Sequence, residues 1–320
     1  MFSFPVSTHH ALRRGCWLVG LLGAVLAQGA IALANGPVNA RAAEDLLVTR
    51  ARHTLDEALK IETGWIRVHA IEAWVALGEH ERMRRLCAAE LPNVEKSPYR
   101  IGTWRVLAAT ARTPKDKAVW IGHIEKAFLD RTSPDRLQAI ESLAKLRHVI
   151  RGEVLAEARA LEKTLPPATA LFPLWALVIA QDAGAMARLT KSLTSSELEA
   201  RRRTAAIFRW LAPTDPAIRQ QVLAALASEP ADTMAHTYLV NTALLLKLEP
   251  NRTPEWRQRL EKAFSAGPAN VRLETSLSLM RLYTVVDLPR IAAMLNDPEG
   301  DSRIAAAWII LFVSAQPGRG

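Results

Sequence analysis

DRTSPDRLQAIESLAKLRH, residues 130–148, reads as a polar turn followed by an amphipathic helix. Ser133 and Pro134 are its start signal. A serine hydroxyl caps free backbone N–H groups, and proline's fixed φ suits the first helical position. Leu137, Ile140 and Ala144, with Ala139, Leu143 and Leu146, form an apolar stripe at helical spacing. With Arg136 as anchor, apolar residues fall four, seven and ten positions later, at Ile140, Leu143 and Leu146.

The same spacing follows Arg67 (Ile71, Trp74, Leu77), Arg201 (Ala205, Phe208, Leu211) and Arg303 (Ala307, Ile310, Val313). Arg100 and Arg272 begin weaker copies; Ala170 and His236 begin copies without the arginine. The eight anchors recur at intervals of 31 to 36 residues, about 34 on average, the size of a helix-turn-helix repeat. Second helices fit between them, over 81–91, 116–129, 153–161, 186–193, 216–226, 254–264 and 288–295. Thr113-Pro114, Thr253-Pro254 and Asp287 supply caps, and Ser196 with Glu199 makes a capping box. Pro173 falls inside an expected helix and predicts a kink or a late start. No alternating strand pattern with hairpin turns competes with this reading. The expectation is an all-α chain: a right-handed α-solenoid of about eight antiparallel helix pairs over residues 44–315, with a tail over 316–320.

Leu129-Asp130, a short turn, Asp135-Arg136, then Ala139 and Leu143 resemble the HEAT-like pattern of a leucine-aspartate turn, an arginine and an alanine-rich helix. Leu295-Asn296-Asp297-Pro298, followed by Asp301-Ser302-Arg303-Ile304-Ala305-Ala306-Ala307, resembles it more closely. By pattern, the resemblance to HEAT repeats, including the PBS-lyase type, spans about 270 residues. It implies a scaffold or binding platform and no particular chemistry. It also implies that the second helices line a concave face. The recurring arginine has a structural account: copies at successive helix starts can pair with acids in neighbouring turns.

Composition bounds the setting. Of 320 residues, 49% are hydrophobic and 23% charged, which is a folded composition. Arg13-Arg14 precede the apolar run CWLVGLLGAVLA, and Ala32-Leu33-Ala34 fits a small-x-small cleavage site. Residues 1–34 read as a secretory signal, and 35–43 as a linker. The alternative is an uncleaved anchor over residues 16–34, barely long enough to span a membrane. Either way the chain is expected to be exported, periplasmic or envelope-associated. Removing residues 1–34 takes Arg13 and Arg14 and no acid, leaving 39 basic against 32 acidic residues, a net charge of +7. Cys87 is then the lone cysteine, so no disulfide within the chain is possible; Met83 and Leu91 flank it at helical spacing, as around a small buried hydrophobe.

Chemical motifs do not emerge. The histidines are scattered, without His-Glu-x-x-His or paired cysteines for a metal. There is no glycine-flanked nucleophile elbow and no phosphate-cradling glycine loop. We therefore assign no catalytic, metal or cofactor residue. A basic groove is expected from the second helices, through Arg82, Arg85, Lys117, Lys126, Arg159, Arg188, Arg257 and Lys262. Such a groove would attract an acidic protein, an anionic glycan or lipid headgroups, with interspersed acids as the counter-argument. The apolar C-terminal run AAAWIILFV has no following partner helix in the sequence. Trp308, Ile310 and Phe312 thus form a candidate docking or self-association end, since solenoids normally finish in a polar cap. The functional expectation is a non-catalytic exported scaffold that binds another protein, such as a membrane complex, and no nucleic acid. The alternative is a glycan-binding or glycan-modifying superhelix. Exposed aromatics among Trp104, Trp120 and Trp256 would favour the alternative.

Overall fold

The structure, a computed structural model, describes residues 37–94, 97, 99–266, 271, 275 and 278–316. The expected signal or anchor segment and residues 317–320 of the tail lie outside the described residues. All regular structure among the described residues is helical, as the periodicity predicts, and none of the helices is long and apolar enough to cross a membrane.

An inner set of helices comprises α2 (Gly64–Ala76), α4 (Arg100–Ala109), α6 (Arg136–Lys145), α8 (Pro167–Ile179), α10 (Leu198–Leu211), α12 (Met234–Leu245) and α15 (Gly300–Ser314). From α2 to α12, each packs on the next inner helix. Their apolar stripes are buried on almost every side; Ile101 to Ala108 of α4 are all interior. An outer set alternates with them: α1 (Pro37–Ile61), α3 (His80–Val94), α5 (Pro114–Leu129), α7 (Gly152–Thr164), α9 (Ala185–Lys191), α11 (Pro216–Ser228), α13 (Thr253–Ala266) and α14 (Leu288–Ala292). The outer helices bury one face and show charges on the other, as Met83 and Cys87 against Arg82 and Arg85 illustrate. Residues 37–43 belong to α1, so the expected linker is helix from Pro37 onward.

Helix ends show where side chains found better uses. Thr113 accepts a hydrogen bond from the Asp116 N–H, the cap its sequence announced. Ser133 does not cap α6. That helix starts two residues later than expected, at Arg136 behind Asp135. Ser133 Oγ and Asp135 instead receive the Arg100 guanidinium, at 3.1 and 2.7 Å. The Ser196–Glu199 capping box is not formed either; Glu199 accepts from Arg202 and Arg203 on its own helix. Thr253 lies within α13 as its first residue, and Asp287 closes a capping box with Thr284. Helix α8 starts at Pro167 and runs on through Pro173.

Five residues with positive φ follow inner helices: Gly78, Arg147, Gln181, Ala212 and Lys247. Each stands eleven residues after an anchor. After Arg147, Gln181 and Lys247 the next backbone N–H reaches back five residues, as in His148 to Leu143, Asp182 to Leu177 and Leu248 to Ala243. That bond satisfies a terminal carbonyl and turns the chain toward the outer layer.

The two ends of the helix series meet. Helix α15 packs against both α1 and α2. Trp308 and Ile310 are 8% and 0% exposed, and Phe312 packs on the core as a partly buried side chain. The residues expected to form an open docking end are therefore interior, because α1 supplies the cover that the sequence seemed to lack. Burying Ile309 and Ile310 completely stabilises this contact by about 1.5–3 kcal/mol each. The circuit from α12 to α15 runs through α13 and α14, tied by Arg257–Asp287 at 2.8 Å and Arg290–Glu261 at 3.1 Å.

Candidate functional site

The anchor arginines make rungs between hairpins. Arg67 pairs with Glu90 of α3, Arg100 with Asp135, Arg136 with Glu157 of α7, and Arg201 with Glu229. Several also cap carbonyls of the preceding outer helix or turn: Arg67 Nε donates to Leu59 O, Arg136 Nε to Phe128 O, and Arg201 Nη1 to Ser195 O. Arg303 completes the series by donating to Asp297 O and Pro298 O and to Glu62, at the far end of the sequence. An acid meets the arginine at five anchors: in a turn, as expected, at Arg100, Arg201 and Arg303, and within an outer helix at Arg67 and Arg136.

A second set of charges lies inside the inner layer. Glu72, Arg105 and Glu141 each stand five residues after an anchor arginine and are each under 10% exposed. Arg105 Nε donates to Glu72 Oε1 at 2.7 Å, and its Nη1 to Ser142 Oγ at 2.8 Å, so one guanidinium ties α2, α4 and α6 together. Lys145 Nζ lies 3.2 Å from Glu141 Oε1, with its side chain 5% exposed. Glu72 Oε2 is buried with no hydrogen-bond partner. Burial raises the Glu72 pKa, but the Arg105 charge, aided by His69 and Lys145, more than offsets it and leaves the carboxyl below its ordinary value. His69 Nδ1 sits 2.7 Å from Asp301 Oδ1, which joins the cluster's edge to α15. The cluster is expensive to assemble. Removing one partner of such a pair typically costs about 3–5 kcal/mol.

A cavity of about 90 Å³ opens beside these charges. Val75, Val106, Ala109 and Leu146 wall it, and Trp210 of α10 reaches it from across the inner layer. Arg147 holds that side in place by donating to Trp210 O at 2.7 Å. Glu72, Arg105 and Lys145 provide its polar rim. A second, larger cavity of about 490 Å³ lies between α12 and α13, with His236, Arg259, Lys262 and Asp232 in its lining. Burial, then the Arg259 charge, keeps His236 below its ordinary pKa.

The residues expected to form a basic groove all lie on the helices that alternate with the inner set. Arg82 and Arg85 are on α3, Lys117 and Lys126 on α5, Arg159 on α7, Arg188 on α9, and Arg257 and Lys262 on α13, all in the outer layer. Arg82 pairs with Asp56, Arg188 with Glu162, Arg159 with Asp182, and Arg257 with Glu261 and Asp287. Acids from neighbouring hairpins therefore neutralise half of the set. Trp104 and Trp256 are buried, and the half-buried Trp120 stacks on His123 at 5.6 Å.

Among the described residues no group of three or more His, Cys, Asp and Glu side chains is placed to hold a metal ion. Cys87 is fully buried, and burial, with Glu90 beside it, pushes its thiol up to about 12. The sequence reading passed over Glu72, Arg105 and Lys145, although a signal was there: charges at the fifth and ninth places of otherwise apolar helices. Compared with protein-family models, curated proteins and solved structures, the chain matches none.

Proposed function

We propose that this chain is an exported, non-catalytic, HEAT-like scaffold of about eight helix pairs in a right-handed solenoid, which binds another protein at the cell envelope. One observation carries the reading. The recurrent arginines are spent on pairing one hairpin with the next, as in Arg100–Asp135, Arg201–Glu229 and Arg303–Glu62. Charges used in this way build a frame for presenting a surface. The recurrence of positive φ eleven residues after the anchors supports the repeat of about 34 residues. The surface on offer is the outer layer, where Arg85, Lys117 and Lys126 are exposed. The burial of Trp104 and Trp256 weighs against the glycan-binding alternative, which needs exposed aromatic platforms.

Two measurements test the proposal. Amino-terminal sequencing of the chain from a fractionated bacterial host is expected to start at Asn35, in the envelope fraction; an intact chain confined to the cytoplasm would overturn the export reading. A photo-crosslinking residue placed at positions 85, 117 and 126 in turn is expected to trap one discrete protein adduct in the native envelope. Failure at all three positions removes the outer layer as the binding surface.

A further inference from the structure

The cavity between α2, α4, α6 and α10 carries a lysine in an apolar setting. Val75, Val106, Leu146 and Trp210 make the walls, and the Lys145 side chain is almost wholly covered. With the Lys145 amine neutral, Glu72 and Glu141 outnumber Arg105 around it, so an anionic ligand would be repelled. An uncharged ligand with a short apolar part fits the walls of Val75, Val106, Leu146 and Trp210. We propose that this cavity binds a small aldehyde or ketone with a short apolar chain and holds it reversibly as an imine on Lys145 Nζ.

The chemistry needs a neutral amine, and the surroundings favour one. Burial lowers the pKa of Lys145; Glu141 and Glu72 oppose the shift and Arg105 adds to it, with a net lowering. The ammonium first gives a proton to water or to Glu141, 3.2 Å away. The nitrogen lone pair then forms a bond to the carbonyl carbon as the carbonyl π pair moves to oxygen. Proton transfer from nitrogen to oxygen gives a carbinolamine. Its hydroxyl takes a proton and leaves as water while the C=N bond forms. Nothing is oxidised or reduced, and hydrolysis returns the amine and the carbonyl compound. This reversible capture adds a ligand site to the frame and does not depend on the scaffold reading.

The experiment treats the full chain with propanal and sodium cyanoborohydride near neutral pH, then locates propylated lysines by peptide mass spectrometry. Lys145 is expected to be labelled ahead of the exposed Lys117. Ala109→Leu narrows the cavity at its exposed rim and is expected to slow labelling of Lys145 while leaving Lys117 unchanged. Labelling of Lys117 without Lys145, or Lys145 labelling undiminished in a folded Ala109→Leu chain, overturns the proposal. Should that variant fail to fold, by circular dichroism, the order of labelling in the native chain decides alone.

Discussion

Arg303 donates to Glu62 at 2.7 Å, although 241 residues separate them in the chain. The bond lies where α15 meets the turn between α1 and α2, beside Gly300. A β-carbon on Gly300 would lie 2.9 Å from Ile66 Cγ2, so the two segments pack closer than any side chain permits. Gly300→Val is expected to cost about 1–3 kcal/mol by overpacking. Arg303→Ala should cost less, about 1 kcal/mol, because the pair is partly exposed and screened. Equilibrium urea unfolding of both variants checks the order. Equal, negligible losses would mean that the ends do not hold each other.

Gln181 has φ of +57° at the end of α8, a conformation that costs a residue with a β-carbon about 1–2 kcal/mol. Gln181→Gly should stabilise the chain by about 1 kcal/mol. The mirror experiment is Gly78→Ala, since Gly78 has φ of +95° with open space around it. That change should destabilise by about 1 kcal/mol, through backbone strain alone. Thermal midpoints that move in opposite directions are the expected pair of results.

Glu229 is a buried carboxylate whose pKa burial raises, while hydrogen bonds from Arg201 and Thr233 bring it below the ordinary value. A lowered folded-state pKa means that the unfolded chain takes up the proton first. The stabilisation is therefore complete above the unfolded value of about 4.3 and is lost as pH falls through the folded value. Glu72 and Glu199 act with the same sign. Stability measured by urea should fall steeply below about pH 5. Glu229→Gln should lower stability near neutral pH by about 1–3 kcal/mol and show a shallower acid decline. A parallel decline in both chains would refute the assignment.

Cys87 is sealed between α3 and the inner layer, with its thiol pushed up to about 12 by burial. Only the thiolate reacts appreciably. Alkylation by iodoacetamide in native buffer should be negligible over hours and should rise with urea along the unfolding curve. Fast labelling of Cys87 in native buffer would show local opening of α3.

Much of this architecture was legible because helical packing leaves a local trace. The second helices appear near the places assigned to them, and Thr113 caps α5 as its sequence announces. Ser133 shows where local reading stops. Its hydroxyl suited a cap, but Arg100 lies 33 residues away in sequence and close by in space, and a guanidinium outbids an N–H for it. The site was only half legible. Glu72, Arg105 and Glu141 each stand five residues after an anchor arginine, so the same spacing also marked the buried charges. Nothing local brings Trp210 of α10 to the same cavity, because it lies more than 60 residues on from α6.

The sequence by itself determined the helices, their alternation and the arginines at their starts, since each rests on spacing within one or two turns. Only the tertiary structure decided that α15 is covered by α1, that acids from elsewhere in the fold meet half of the basic set on the outer helices, and that Lys145 is buried. The physical reason is common to all three. Each depends on contacts between segments far apart in the sequence, such as α15 against α1, which the spacing within one helix cannot encode.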